Sequence, residues 1–250
     1  MKKSILSVLC AALFVSCLSG CVTVVMDFSS VTGKGDPEIY EIRVGEFSGV
    51  KIEGQCEIRY YAAPSDVVLL EVQPNLREYF LIEVINDDLV ISTSERINFN
   101  AGNNPVITVS SPVLNRLNIA GVSTFTAYDK IITDSFDFRL SGAGGCKAEL
   151  DVNNLYVDMS GTGSFELSGT ADTATLNLSG AGNLDALSLQ TREAKVGISG
   201  VGNVGISCSE NLTIDANGMG SVEYKGDPSI NINRGGMVNV EKVGDYRLLQ

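Results

Sequence analysis

The 250-residue chain has no histidine and no tryptophan. Without histidine it lacks the side chain that titrates nearest neutral pH and the commonest transition-metal ligand. Hydrolases built on a histidine base and imidazole-ligated zinc sites are thereby excluded. Basic residues are also scarce: 18 Lys and Arg stand against 30 Asp and Glu, a formal charge of −12. Such a chain repels phosphate backbones, so nucleic acid is not an expected partner. Colloidal solubility is the plainer consequence of that charge. Long apolar runs are missing too. Ile5 to Val15 falls short of the roughly 20 residues that a membrane-spanning helix needs.

That short run follows Met1-Lys2-Lys3, and the combination has the layout of a secretory signal. Leu18-Ser19-Gly20-Cys21 occupies the place of the cleavage site and resembles the bacterial lipobox. The resemblance implies cleavage before Cys21 and a lipid thioether on it. An acylated Cys21 would hold the protein on a membrane without a spanning helix, each buried methylene adding roughly 0.8 kcal/mol. Residues 1–20 carry two lysines and no acid, so the processed chain would keep 16 basic and 30 acidic side chains, a charge of −14. Val22 and Thr23 follow the cysteine, and by resemblance to lipoprotein sorting rules the absence of Asp there implies the outer membrane. Its periplasmic and outer faces are not distinguished. Cys10 and Cys17 would leave with the signal, and Cys56, Cys146 and Cys208 remain. An odd number cannot form a complete disulfide framework, and buried free thiols are expected.

Glycine is abundant, 26 residues in all, and it recurs in a pattern. "LNLSGAGNL" at 176–184 has relatives throughout the second half, with turns starting at Ala120, Ser141, Ser160, Ser179, Ser199, Asn217 and Asn233. A period near 20 residues marks a solenoid. Apolar residues lie one and three positions before each start, as in Met159 and Val157, and five and seven after it, as in Phe165 and Leu167. In the last unit the positions after the start are Val238 and Val240. This alternation places two short strands per coil against one core. The Gly-x-Gly corners are Gly142 and Gly144, Gly161 and Gly163, Gly180 and Gly182, Gly200 and Gly202, and Gly218 and Gly220. They are expected to supply positive φ and close approach between stacked turns. Stacked equivalents form parallel ladders, so the predicted fold is an all-β, right-handed parallel β-helix. Coils of 16 to 21 residues do not fit the strict six-residue step of a left-handed hexapeptide helix.

The first half is less regular. Residues 21–37 read as a polar, lipidated tether after the 1–20 signal, and 38–110 as a β region holding the first coils. Residues 111–243 hold the Ser-Gly-x-Gly coils, and 244–250 form a tail or cap. Asn86-Asp87-Asp88 reads as a hairpin turn. Val50 to Tyr60 matches the coil frame with Glu53 at the turn start and Cys56 in place of the second glycine. A partly antiparallel section is expected to cap the solenoid, because an open ladder invites edge-to-edge aggregation.

Ser141-Gly142-Ala143-Gly144 and its three successors, the Val50–Tyr60 segment, and Val106-Ile107-Thr108-Val109 with Pro112-Val113-Leu114 together resemble the auto-transporter adhesin head domain called the GIN domain. The resemblance spans about residues 40 to 243. It implies a secreted or lipoprotein-type bacterial protein and, by the family's name, adhesion. It fixes no catalytic, cofactor or metal residues.

Two kinds of function follow. The first is a non-catalytic binding, adhesion-like or scaffold module, tethered to a membrane by lipid and showing Ser/Thr/Asn-rich faces to a glycan or protein partner. The second is a carbohydrate-active lyase or hydrolase on a β-helix, with acids such as Asp151, Asp158, Glu166 and Asp185 on exposed faces. Coils this short leave no long loops to wall a cleft, which favours the first. A dinucleotide site would need a helix after its glycines, and none is expected. A calcium β-roll would need Asp where Cys146, Phe165, Leu184 and Val204 stand.

Overall fold

A computed structural model describes residues 31–94 and 104–244. Strands make up 72% of it, in a parallel β-solenoid of about seven turns with some antiparallel pairing. The expected signal 1–20, Cys21 and the tether as far as residue 30, and residues 245–250 of the expected 244–250 tail, lie outside the described residues.

Among the described residues, alternating inward apolar side chains build seventeen strands, hydrogen-bonded into one ladder that folds into two long faces, the first and second sheets. The strands of the first half are β1 (Glu38–Ile42), β2 (Gly49–Ile52), β3 (Gln55–Ala62), β4 (Val67–Val72), β5 (Phe80–Ile85), β6 (Asp88–Thr93), β7 (Val106–Ser111), β8 (Arg116–Ile119) and β9 (Val122–Ala127). Those of the second half are β10 (Ile131–Leu140), β11 (Ala143–Met159), β12 (Thr162–Leu178), β13 (Ala181–Ile198), β14 (Val201–Ala216), β15 (Met219–Lys225), β16 (Ser229–Arg234) and β17 (Met237–Lys242). The first sheet runs β1-β4-β7-β3-β9, then through the first halves of β11 to β14, to β15 and β17. The second runs β5-β6-β2-β8-β10, then through the second halves of β11 to β14, to β16. Antiparallel pairing occurs at the N-terminal end, in β1–β4, β4–β7 and the β5–β6 hairpin. The hairpin turns on Asn86 and Asp87, whose φ values of 50° and 69° are those of a two-residue type I′ turn. The expected cap therefore sits at that end.

One apolar cluster fills the space between the sheets from Phe47 to Val238. Side chains from the two sheets meet within it: the rings of Phe138, from the second sheet, and Phe165, from the first, lie 4.2 Å apart at 16°. The three cysteines Cys56, Cys146 and Cys208 are free and buried. Burial pushes the Cys56 thiol up to about 12 and raises that of Cys146 as well, so both stay protonated and unreactive.

The glycines act mainly through close approach. At the corner, Ser160 N and Gly161 N both donate to Leu140 O, at 2.9 and 2.8 Å, and Thr162 N donates to Gly142 O at 3.0 Å. The next rung repeats the arrangement. A Cβ on Gly161 would collide with the carbonyl oxygen of Gly142 directly below it. Within the corners, positive φ falls on the second glycine in most and not on the first, as at Gly182 (151°). The first glycine is required for space rather than handedness, which narrows the expectation from sequence.

The last corner differs from the one expected. Gly235 N and Gly236 N donate to Ala216 O just as Asn217 N and Gly218 N donate to Ile198 O, so Gly235, not Asn233, starts the final turn. Asn233 lies opposite Asp215, inside β16. Val240, not Val238, is then the counterpart of Val222. Alternation made the two frames look alike, because a shift of two residues keeps every side chain on the same face. Length differences between coils are absorbed on the short side far from the glycine corner. Register shifts fall between Glu166 and Ser168, between Ala186 and Gln190 and between Thr191 and Glu193, while both sheets stay in step.

Candidate functional site: the outer face of the second sheet

Because inward and outward residues alternate, the residues two and four positions before each corner start must point to solvent. Register stacks them into rows. Asp137, Tyr156, Thr175, Lys195 and Thr213 make one, and Arg139, Asp158, Asn177, Gly197 and Asp215 make its neighbour. A third contains Ser135, Asn154, Thr173, Glu193 and Asn211.

Three shallow depressions join end to end along these rows. The first, about 570 Å³, is lined by Arg116, Asp137, Asn154, Tyr156, Thr173 and Thr175 among others. The second, about 230 Å³, shares Thr173 and Thr175 with it and continues to Glu193, Lys195 and Thr213. The third, about 320 Å³, shares Lys195 and extends over Asp158, Asn177, Gly197 and Asp215. Gly197 makes a notch in the floor: a Cβ there would press on the Asn177 amide oxygen. Together they form a polar trough running along the solenoid axis.

Its cations are engaged. Arg139 grips Asp137 with two hydrogen bonds, Nε to Oδ1 at 2.9 Å and a terminal nitrogen to Oδ2 at 2.8 Å. These bonds hold the guanidinium pKa above its ordinary value. The Arg139 guanidinium carbon also lies 5.6 Å from the centre of the Tyr156 ring. Arg116 binds Asp88 at 2.8 Å, and Lys195 reaches Asp215 at 3.5 Å. The Asn233 amide, donating to Asp215 at 2.9 Å, and then Lys195 lower the Asp215 pKa. Hydroxyl and amide groups are chained between rungs: Thr173 donates to Asn154 at 3.0 Å, and Asn154 to Ser135 at 3.4 Å. Tyr156 remains 37% exposed in the middle of this network.

The acids singled out from the sequence do not assemble into one site. Glu166 and Asp185 are in register on the first sheet, and Lys147 binds Glu166 at 2.7 Å. Asp158 lies on the second sheet. Asp151 sits on the short side, accepting from Thr170 at 3.0 Å. That side has a polar depression of about 460 Å³, across which Arg192 is held by Glu193 and Glu210 at 3.0 and 2.9 Å. Among the described residues, no group of three or more acids or cysteines is placed to hold a metal ion.

Tyr156, Arg139, Asp137, Thr175 and Lys195 were not singled out from the sequence. The signal was available: they stand two or four positions before the corner starts, in the frame that located the core. Attention to the apolar partners of that frame passed over the polar residues between them.

The sequence matches the family described as "Putative auto-transporter adhesin, head GIN domain" over residues 46–228. No curated protein matches the chain. Among solved structures, a putative adhesin from Bacteroides fragilis NCTC 9343 shares 22% identity with a TM-score of 0.79, covering 86% of this chain and all of that one. A putative lipid binding protein from Parabacteroides distasonis ATCC 8503 is 21% identical with a TM-score of 0.64 over the same shares. A putative adhesin from Parabacteroides merdae ATCC 43184 is 21% identical with a TM-score of 0.63, over 86% of this chain and 99% of that one. At these identities the likeness concerns the fold.

Proposed function

The chain belongs to the GIN-domain family of auto-transporter adhesin heads, and from that premise we propose that it is a non-catalytic binding module of the bacterial cell envelope, tethered to the outer membrane by lipid on Cys21. The observation that carries this reading is the continuous polar trough on the second sheet, built on a ladder that leaves its backbone no freedom to close around a small substrate. A rigid, shallow, repetitive face suits an extended partner that makes many weak contacts. Catalysis on a glycoside needs two carboxyl groups flanking one bond, with water controlled around them. The acids that come closest in register, Glu166 and Asp185, stand on an open face, and one of them is bound by Lys147. Relatives described as adhesins support the binding reading. The relative described as lipid binding suggests acyl chains instead, but hydroxyls, amides and ion pairs line this trough.

Two measurements test the proposal. In a bacterial host fed radiolabelled palmitate, the wild-type chain is expected to take up label and sediment with membranes, and Cys21→Ala to do neither. Label on Cys21→Ala, or none on the wild type, would remove the anchor. The purified Cys21→Ala protein is then incubated with insoluble bacterial envelopes. Saturable retention without release of reducing ends is expected, with retention lost when Thr175→Arg fills the trough. Retention unchanged by Thr175→Arg would move the binding surface elsewhere. Reducing ends that disappear with Asp158→Asn would make the protein an enzyme.

A further inference from the structure

We propose that the trough is a sugar-binding surface for an uncharged, linear glycan and that Tyr156 is its stacking subsite. This inference rests on the binding-module reading above and names the chemistry of its ligand.

An anionic polymer needs free cations, yet Arg139, Arg116 and Lys195 each face a carboxylate of the protein itself, and the whole chain is acidic. A cationic polymer would meet carboxylates already answered within the protein: Asp137 takes two hydrogen bonds from Arg139, Asp215 one from Asn233 and Glu193 one from Arg192, and Asp158 lies in the field of Arg139. A peptide joining the sheet as an extra strand needs an open edge, and here every strand from β10 to β14 is paired on both sides within the second sheet. A peptide laid along the axis would fall out of step, because its residues rise about 3.3 Å while the rungs repeat at about 4.8 Å. What the surface does offer on the β11, β12 and β14 rungs is neutral hydroxyls and amides, Asn154, Thr173, Thr175, Asn177, Asn211 and Thr213, while the β13 rung between them presents Glu193, Lys195 and Gly197. Each hydroxyl or amide can both donate and accept, as a sugar hydroxyl does.

Tyr156 completes the match. Its ring is an apolar plate with a polar tip, standing among these groups. Arg139, fixed by its two bonds to Asp137, braces one ring face at 5.6 Å. The ring is thus braced from the β10 side, and its exposed part, 37% of the residue, is what the trough offers to the C–H face of a pyranose, beside Thr175 of the next rung. The notch over Gly197 lies one row across and two rungs along, where it admits a substituent that a side chain would exclude. A repeating polymer then meets a repeating surface, with one aromatic anchor to set its position.

The test is affinity electrophoresis of the Cys21→Ala protein through gels containing a neutral β-1,3-glucan, β-1,4-glucomannan or α-mannan, with alginate as the anionic comparison. Retardation by at least one neutral glycan and none by alginate is expected, changing less than about twofold between 0.05 and 0.5 M salt because no charges are exchanged. Tyr156→Ala, whose ring lies outside the core, is expected to fold normally by circular dichroism and to bind about tenfold more weakly. Tyr156→Phe should retain most of the affinity, and Tyr128→Ala, at an exposed tyrosine in the bend just after β9, should retain all of it. Neutral-glycan binding that survives Tyr156→Ala, or retardation by alginate alone, overturns the inference. So does the absence of any retardation while envelopes still retain the protein through the trough; that outcome leaves the binding-module reading standing with another ligand.

Discussion

The two halves of this solenoid solve the same packing problem with different means. From β8 onward each coil repeats its predecessor, and stability comes from backbone stacked on backbone, with Gly142, Gly161, Gly180 and Gly200 admitting the carbonyl of the rung below. Before β8 the repeat is imperfect. Glu53 and Gly54 form the corner below Ala120 and Gly121, Cys56 lies in register with Ser123 and Gly144, and a 3-10 helix over Pro74–Tyr79 plugs Leu76 into the core. Ser123 fills the room left at this level, donating to Gly54 O at 3.0 Å. The repeating half is therefore intolerant of any side chain at its corner column. The capping half holds itself together with large side chains and antiparallel pairing, and should tolerate changes of backbone position better than loss of bulk.

The largest expected effect follows from that contrast. Gly161→Ala places a methyl group against the Gly142 carbonyl, which is itself held in the corner ladder. A loss of more than about 4 kcal/mol is expected, a large part of the 5–15 kcal/mol that a domain possesses. Gly45→Ala in the capping half meets nothing within 4 Å and should change stability by less than about 0.5 kcal/mol. Urea unfolding followed by circular dichroism measures both. Equal effects would show that the corner column is not the constraint.

Bulk is tested next. Phe165, 0% exposed and stacked on Phe138, should cost about 3–5 kcal/mol on truncation to Ala, and Leu76→Ala about 2–5 kcal/mol. Because a single apolar cluster runs through both halves, each variant should shift one shared transition. Two transitions in Leu76→Ala would mean that the cap unfolds on its own and that the halves are separate cooperative units.

What was legible in the sequence follows the same division. Repetition turned a weak local signal into a strong one: alternation around a glycine corner, seen several times, identified the ladder, the core residues and even Glu53 and Cys56 in their frame. It failed at the last coil, where Asn233 imitated Asn217 and a two-residue slip preserved the pattern. The pairing of β1 with β4 and of β4 with β7 had no such periodicity to reveal it, since antiparallel partners far apart in sequence leave no repeated spacing. The trough was legible in principle and missed in practice. Tyr156 and Thr175 mean little singly; only register, which stacks them in a row, makes them a surface.

The smallest expected effect concerns a charge that the cap holds at a cost. Asp66 sits beside Phe47 and Pro112 at the edge of a depression, and its Oδ1 is buried with no hydrogen-bond partner. Burial, and then the nearby Glu46 carboxylate, raise its pKa. An acid whose folded pKa exceeds its unfolded one binds its proton more tightly when folded. Stability is then greatest below the unfolded pKa and declines as pH rises through the folded value. Asp66→Asn removes that decline. The variant should melt about 1–3 °C higher than the wild type at pH 7, with the difference vanishing near pH 3, where both carry a neutral side chain. A similar gain at both pH values would assign the effect to packing. A loss at pH 7 would mean that the backbone N–H donors of Phe47 and Asp66, which act to lower its pKa, outweigh burial, and that the capping half draws stability from this carboxylate.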